Sequence, residues 1–151
     1  MNMGKRIICI AIILFSAFSF LSFDTDNSAK IIGFWWSPEK KSKIKIFKST
    51  DGKYYGNVVW LKDAVNEDGT PKKDKNNPKV EKRKNTIVNL QILKSFVFDG
   101  DKQWEGGTVY DPENGKTYSC TMTLQDENTL NLRGYVGVSL LGRTAVFTKA
   151  D

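Results

Sequence analysis

Between Thr117 and Leu124 apolar and polar residues alternate without a break. Tyr118, Cys120, Met122 and Leu124 form one set, and Thr117, Ser119, Thr121 and Thr123 the other. A period of two sends the sets to opposite faces of an extended chain, so this run is a strand with one face in a core and one in water. The same habit recurs along the chain. Lys43 to Lys48 sets Ile44 and Ile46 against lysines, and Tyr54 to Leu61 is rich in aromatic and β-branched residues. Trp104 to Asp111, Thr129 to Val136 and Arg143 to Thr148 extend the series. Ile87 to Phe98 reads either as a strand throughout or as a strand begun by a helical turn. Asp51-Gly52, Asp99-Gly100 and Pro112 to Gly115 are hairpin or turn signals, because their residues tolerate the backbone angles that tight turns require. Gly106-Gly107 interrupts its strand as a bulge or bend. No amphipathic helix of useful length and no internal repeat is apparent. Short strands joined by tight turns predict an all-β, antiparallel sandwich or barrel.

The start of the chain follows another rule. Lys5 and Arg6 precede an apolar run from Ile7 to Phe15, and Ala17, Phe18 and Ser19 give a small-x-small cleavage pattern. This is the layout of a secretory signal, with a second cut point near Ser22. The apolar run to Phe23 is also long enough to stay as an uncleaved anchor. Cys9 lies inside that run and follows no small-residue triplet, so it is not a lipoprotein cysteine. The expected division is a signal at 1–22, a flexible lead-in at 23–30 and one β-domain at 31–151. The protein is then exported, to the periplasm or beyond. Without the signal one cysteine remains, Cys120, so the core must stabilise the fold without an internal disulfide.

Charge matters mainly for its location. The net charge is +6. Seven basic residues against two acids lie between Lys72 and Lys84, inside a stretch from Lys62 to Asn85 with little apolar content. This predicts one long basic loop. Lys82, Arg83 and Lys84 are its candidate contacts for an anionic envelope lipid or polymer; the alternative is a solvated segment whose charge serves solubility. It lacks the interleaved aromatics that stack bases, so nucleic acid is not an expected partner.

Several motifs together resemble a known family. Gly33-x-Trp35 opens the first strand and Arg143 sits on the last, similar to the lipocalin-type signature. Asp51-Gly52-Lys53-Tyr54-Tyr55-Gly56, Asp74-x-x-Asn77-Pro78, Trp104-x-Gly106-Gly107, Tyr110-Asp111-Pro112 and Leu141-Gly142-Arg143-Thr144 follow in order. They resemble the bacterial exported family known as domain of unknown function 2147. Asn89 and Phe147 stand where that family usually has glycine and tryptophan. The resemblance implies a lipocalin-like, up-and-down barrel of about eight strands, with Arg143 packed across the ring of Trp35. It implies no reaction.

The absence of histidine excludes a Ser-His-Asp triad, a Cys-His pair and histidine-ligated zinc. No metal or cofactor is expected. Asp99, Asp101, Glu105, Asp111 and Glu113 are the remaining acid–base groups, and they read as turn residues before they read as a hydrolase pair. Cys120 reads as a small buried hydrophobe. In a barrel, Tyr55, Trp60, Trp104, Tyr118, Met122 and Leu132 are the lumen candidates, and Arg133 faces outward. The lumen either holds a small apolar or amphiphilic ligand or is filled by these side chains. In the second case the protein is an envelope interaction module. The oligomeric state does not follow from the sequence.

Overall fold

The computed structural model describes residues 26–150. The signal reading, with Lys5, Arg6 and both cleavage points, lies outside the described residues. The strands are β1 (Gly33–Trp36), β2 (Ser42–Lys48), β3 (Tyr54–Leu61), β4 (Gln91–Phe98), β5 (Gln103–Asp111), β6 (Lys116–Asp126), β7 (Thr129–Tyr135) and β8 (Arg143–Ala150). Each pairs antiparallel with the next, and β8 returns to β1, so the sheet closes into an eight-stranded barrel. Closure removes both sheet edges and leaves no unpaired ladder to seed aggregation.

Alternation selects the interior. Ile44 and Ile46 of β2, Cys120, Met122 and Leu124 of β6, and Leu130 and Leu132 of β7 are buried. Trp35, Tyr54, Phe96 and Trp104 are the largest side chains wholly inside. The bulge expected at Gly106-Gly107 is present: the β5–β6 register shifts between Trp104 and Gly107, and Gly106 takes φ 70°. A Cβ on Gly107 would overlap the Phe96 ring, so the bend lets β5 close over an aromatic of β4. Asn89 has φ 74°, the left-handed conformation that asparagine tolerates better than most residues.

An up-and-down barrel sorts its connections by end. The β2–β3, β4–β5 and β6–β7 turns lie at one end with the start of β1 and the finish of β8. The β1–β2, β3–β4, β5–β6 and β7–β8 connections lie at the other. The first end is sealed. The lead-in is not simply flexible there: Asn27–Ala29 forms a 3-10 turn, and the Asp26 carboxylate accepts a hydrogen bond from Ser28 N–H at 3.0 Å. Ile31 is fully buried, and its carbonyl accepts from Trp35 Nε1 at 2.8 Å. The cation over Trp35 is Lys149, with Nζ 4.6 Å from the ring centroid. Arg143 does not make this contact. It pairs with Gly134 at the start of β8, whereas Lys149 lies opposite Trp35 in the β1–β8 register. Partial burial pulls the Lys149 ammonium below the usual lysine range; the ring face and the Lys30 carbonyl, 3.3 Å away, are its compensating partners.

Candidate functional site

The open end carries two cavities of about 820 Å³ each. The second is the mouth of the barrel itself. Val109, Tyr118, Leu132, Ala145 and Phe147 line it, with Leu141 and Arg143 from the β7–β8 connection and the start of β8. Arg143, Ala145 and Phe147 lie two residues apart on β8, so one inward row supplies an apolar floor and a cationic rim. The guanidinium of Arg143 has no carboxylate partner; the one ion pair among the described residues is Lys41–Glu39. The first cavity lies under the β3–β4 loop. Its lining mixes Lys41, Lys62, Lys72, Asp63 and Glu113 with apolar Val58, Leu61, Ile87 and Ile92, so it carries more charged groups than the mouth. Asp111 and Pro112 border both, which stands the β5–β6 turn between them.

The long basic loop is a built structure. Asp74, at its centre, is fully buried. One carboxylate oxygen accepts from Tyr110 Oη at 2.7 Å and the other from Asn77 Nδ2 at 2.6 Å. Burial, reinforced by the hydrogen bond to Asp74, pushes the Tyr110 hydroxyl up to about 12. Asn76 Nδ2 donates to the carbonyls of Glu113 at 2.7 Å and Pro112 at 3.2 Å, which ties the loop to the β5–β6 turn. Gly115 takes φ 71°, and a Cβ there would overlap the Asn76 carbonyl. The loop is therefore fastened to β5 through its buried carboxylate and to the turn through Asn76.

The lumen candidates separate into three groups. Trp104 and Met122 are in the sealed interior, wholly buried. Tyr118 and Leu132 line the mouth cavity. Tyr55 and Trp60 do not face the lumen. Tyr55 stacks on Phe47 and donates to Asp51 at 2.6 Å on the outer wall. Trp60 is 42% exposed and meets Trp36 edge-to-face, beneath a cation–π contact from Lys43 to Trp36. In the anion-contact trio, Lys82 and Lys84 are exposed. Arg83 is partly occupied, since its Nε donates to the Asn77 carbonyl at 2.7 Å. Arg133 faces outward as expected and holds the Ser139 and Leu140 carbonyls.

Two of the candidate acids serve turns, and Glu105 lies within β5, where it accepts from Gln103. Asp99 and Asp111 accept from backbone N–H groups two residues on, and Asp111 also accepts from Asn114 Nδ2. Glu39 is held below the usual carboxylate range by its hydrogen bond to Lys41. Burial pushes the Cys120 thiol up to about 12, which suits a packing residue and not a nucleophile. Among the described residues no three His, Cys, Asp or Glu side chains cluster as metal ligands would. Sequence reasoning missed Lys149, the inward row of β8 and the Asp74–Tyr110 pair. The β8 row was legible by alternation from Arg143 to Phe147. The Asp74 pair was not, because its partners are 36 residues apart in sequence.

Residues 33–149 match the family model described as an uncharacterized protein conserved in bacteria (DUF2147). Among solved structures, the chain is similar to one titled "Protein HP1028 from the human pathogen Helicobacter pylori belongs to the lipocalin family". The two are 22% identical, the match covers 80% of this chain and 83% of that one, and the TM-score is 0.70. That likeness concerns the barrel fold. No curated protein matches the chain.

Proposed function

The chain belongs to the DUF2147 family of lipocalin-like barrels, and from that premise we propose that it is an exported binding protein for a small apolar or amphiphilic ligand. The mouth cavity carries this reading. Its volume falls within the ~300–1,000 Å³ of ordinary ligand pockets, and such sites combine an apolar lining with a few placed polar groups. Leu132, Ala145 and Phe147 supply the apolar surface, and the unpaired Arg143 supplies one cation for an anionic end group. Export rests on Lys5, Arg6 and the apolar run that follows them.

Native mass spectrometry of protein purified from its own envelope tests the reading, with uptake of dansyl-undecanoic acid as a second measurement. Expected are a bound mass that denaturation releases and probe uptake that Ala145→Trp abolishes by filling the cavity. A clean apo mass together with no probe uptake would overturn it. The exposed Lys82 and Lys84 favour a second role, contact with an anionic envelope surface. Salt-sensitive binding to such a surface should then weaken when both become glutamine, and unchanged binding would refute the role.

A further inference from the structure

The β7–β8 connection exposes more apolar surface than any folding role explains. Leu140 is 89% exposed, Leu141 81%, Val136 74% and Val138 58%. They crowd into the seven residues from Val136 to Gly142, which include no charged or acidic side chain. Scattered exposed hydrophobics need no explanation, but four in one loop form a patch, and patches of this kind mark contact surfaces. The loop is also shaped. Arg133 Nε donates to the Ser139 carbonyl at 2.8 Å, and its Nη2 donates to the Leu140 carbonyl at 3.1 Å. These bonds satisfy backbone carbonyls at the tip from below and leave the leucines outermost.

Charge identifies the occupant. Arg143 follows the patch directly, and its guanidinium has no carboxylate partner. The topology places the basic β3–β4 loop, with exposed Lys79, Lys82 and Lys84, at the same end of the barrel. That loop adds an exposed Val80, 70% accessible, among its lysines. Apolar side chains at a tip, with exposed cations across the same rim of the barrel, match a bilayer interface: apolar groups enter the acyl boundary and cations meet anionic headgroups. Val136 and Leu141 also line the mouth cavity, so the surface that meets the lipid is the one through which the cavity opens.

We propose that the open end of the barrel docks on an anionic bilayer, with Leu140 and Leu141 inserted and Arg143 and the exposed lysines of the β3–β4 loop on the headgroups. This rests for its charge on the second role of Lys82 and Lys84 and adds the inserted leucines to it; it does not depend on the ligand reading. Docking is read from a label on the loop, and ligand binding from probe uptake in the cavity, so the two fail separately.

The test uses the chain from Asp24 onward, which keeps the whole closed barrel and leaves out the apolar run that would itself enter vesicles, with an NBD fluorophore on Leu140→Cys. Cys120 is buried and stays unlabelled. A matched chain carries the label on Glu127→Cys, in the β6–β7 turn at the sealed end. Vesicles of phosphatidylethanolamine and phosphatidylglycerol are compared with phosphatidylcholine alone. The Leu140 label should brighten on anionic vesicles and be quenched by acyl-chain nitroxide lipids, and the Glu127 label should not respond. Replacing Lys82 and Lys84 with glutamine should weaken partitioning about fivefold per cation. Serine at both Leu140 and Leu141, tested by sedimentation with anionic vesicles, should weaken it by about tenfold or more. A silent Leu140 label overturns the proposal. So does an equal response at Glu127, which would assign the contact to another part of the chain. Equal brightening on neutral vesicles removes the charge argument and overturns it too. Brightening with protein concentration in the absence of lipid would assign the patch to a second copy of the chain and overturn docking on a bilayer.

Discussion

Lys149 lies with its ammonium 4.6 Å from the centroid of the Trp35 ring, and the pair seals the end of the barrel where the chain begins and finishes its sheet. The tryptophan is wholly buried and hydrogen-bonded to Ile31, so the lysine caps a fixed surface. A cation–π contact is worth roughly 1 kcal/mol at a half-exposed site, and the bond to the Lys30 carbonyl adds a similar amount. Lys149→Met should therefore lower stability by about 1–2 kcal/mol in urea unfolding, with no change in slope. Arg143→Ala, at the other end of the same strand, should stay within about 0.5 kcal/mol of the parent. A reversed order would return the sealing role to Arg143.

The Asp74–Tyr110 hydrogen bond makes a second prediction. Tyr110→Phe leaves one oxygen of a buried carboxylate without its donor, and an unsatisfied buried group costs about 1–3 kcal/mol. The alkaline behaviour follows from the sign of the shift. The hydroxyl is pushed up from its ordinary 10 to about 12, so the folded protein prefers the neutral phenol. That contribution is complete below pH 10 and is lost as pH rises toward 12. Between those limits the parent should lose stability with pH more steeply than Tyr110→Phe. Parallel curves in denaturant titrations would show that Tyr110 ionises as freely in the folded chain as in the unfolded one.

Strand existence was legible, and side-chain direction was legible only where the ladder is regular. In β6 the alternation from Tyr118 to Leu124 runs unbroken, and Cys120, Met122 and Leu124 are all inside. In β3 it fails twice. Tyr54 and Tyr55 are both aromatic, and the inward row continues through Gly56, which has no side chain to reveal it. Strict alternation from Tyr54 would then bring Trp60 inside. A bulge opposite the Lys43–Ile44 step inserts one residue between Val58 and Trp60 and turns the indole outward. Likewise, the first and last strands carried the lipocalin-type residues, but the β1–β8 register decides which cation reaches Trp35, and register is a long-range property. The apolar β7–β8 loop was visible as composition; its exposure and its place beside a cavity were not.

Gly115 is where the basic loop meets the β5–β6 turn. Its φ of 71° is strained for any other residue, and a Cβ would overlap the Asn76 carbonyl. Gly115→Ala should therefore push Asn76 away and break its bonds to Pro112 and Glu113. The expected result is a local loosening. Amide exchange should accelerate across residues 72–86, while the protection of β6 and β7 stays near that of the parent. Acceleration spread evenly over the barrel would mean that the turn, and not the loop, depends on this glycine.

The contrast between Trp60 and Trp104 tests the division of the wall into inside and outside. Trp104 packs against Phe98 at 4.9 Å and Tyr54 at 6.2 Å between ring centroids, with no exposure. Trp104→Ala removes that surface and leaves a cavity, a change that costs about 3–5 kcal/mol. Trp60 is 42% exposed and its main aromatic neighbour is Trp36. Trp60→Ala should cost about 0.5–1.5 kcal/mol, the worth of one aromatic pair. A finer comparison separates packing from polarity. The Nε1 of Trp104 is buried with no hydrogen-bond partner, as is the Tyr54 hydroxyl. Trp104→Phe removes that unpaired donor along with part of the ring, so relief of an unsatisfied group offsets some of the lost contact. Its cost in urea unfolding should thus be well under half that of Trp104→Ala. Equal costs for the two variants would mean that the indole nitrogen has a partner inside the barrel and that the interior at this level is polar, not sealed.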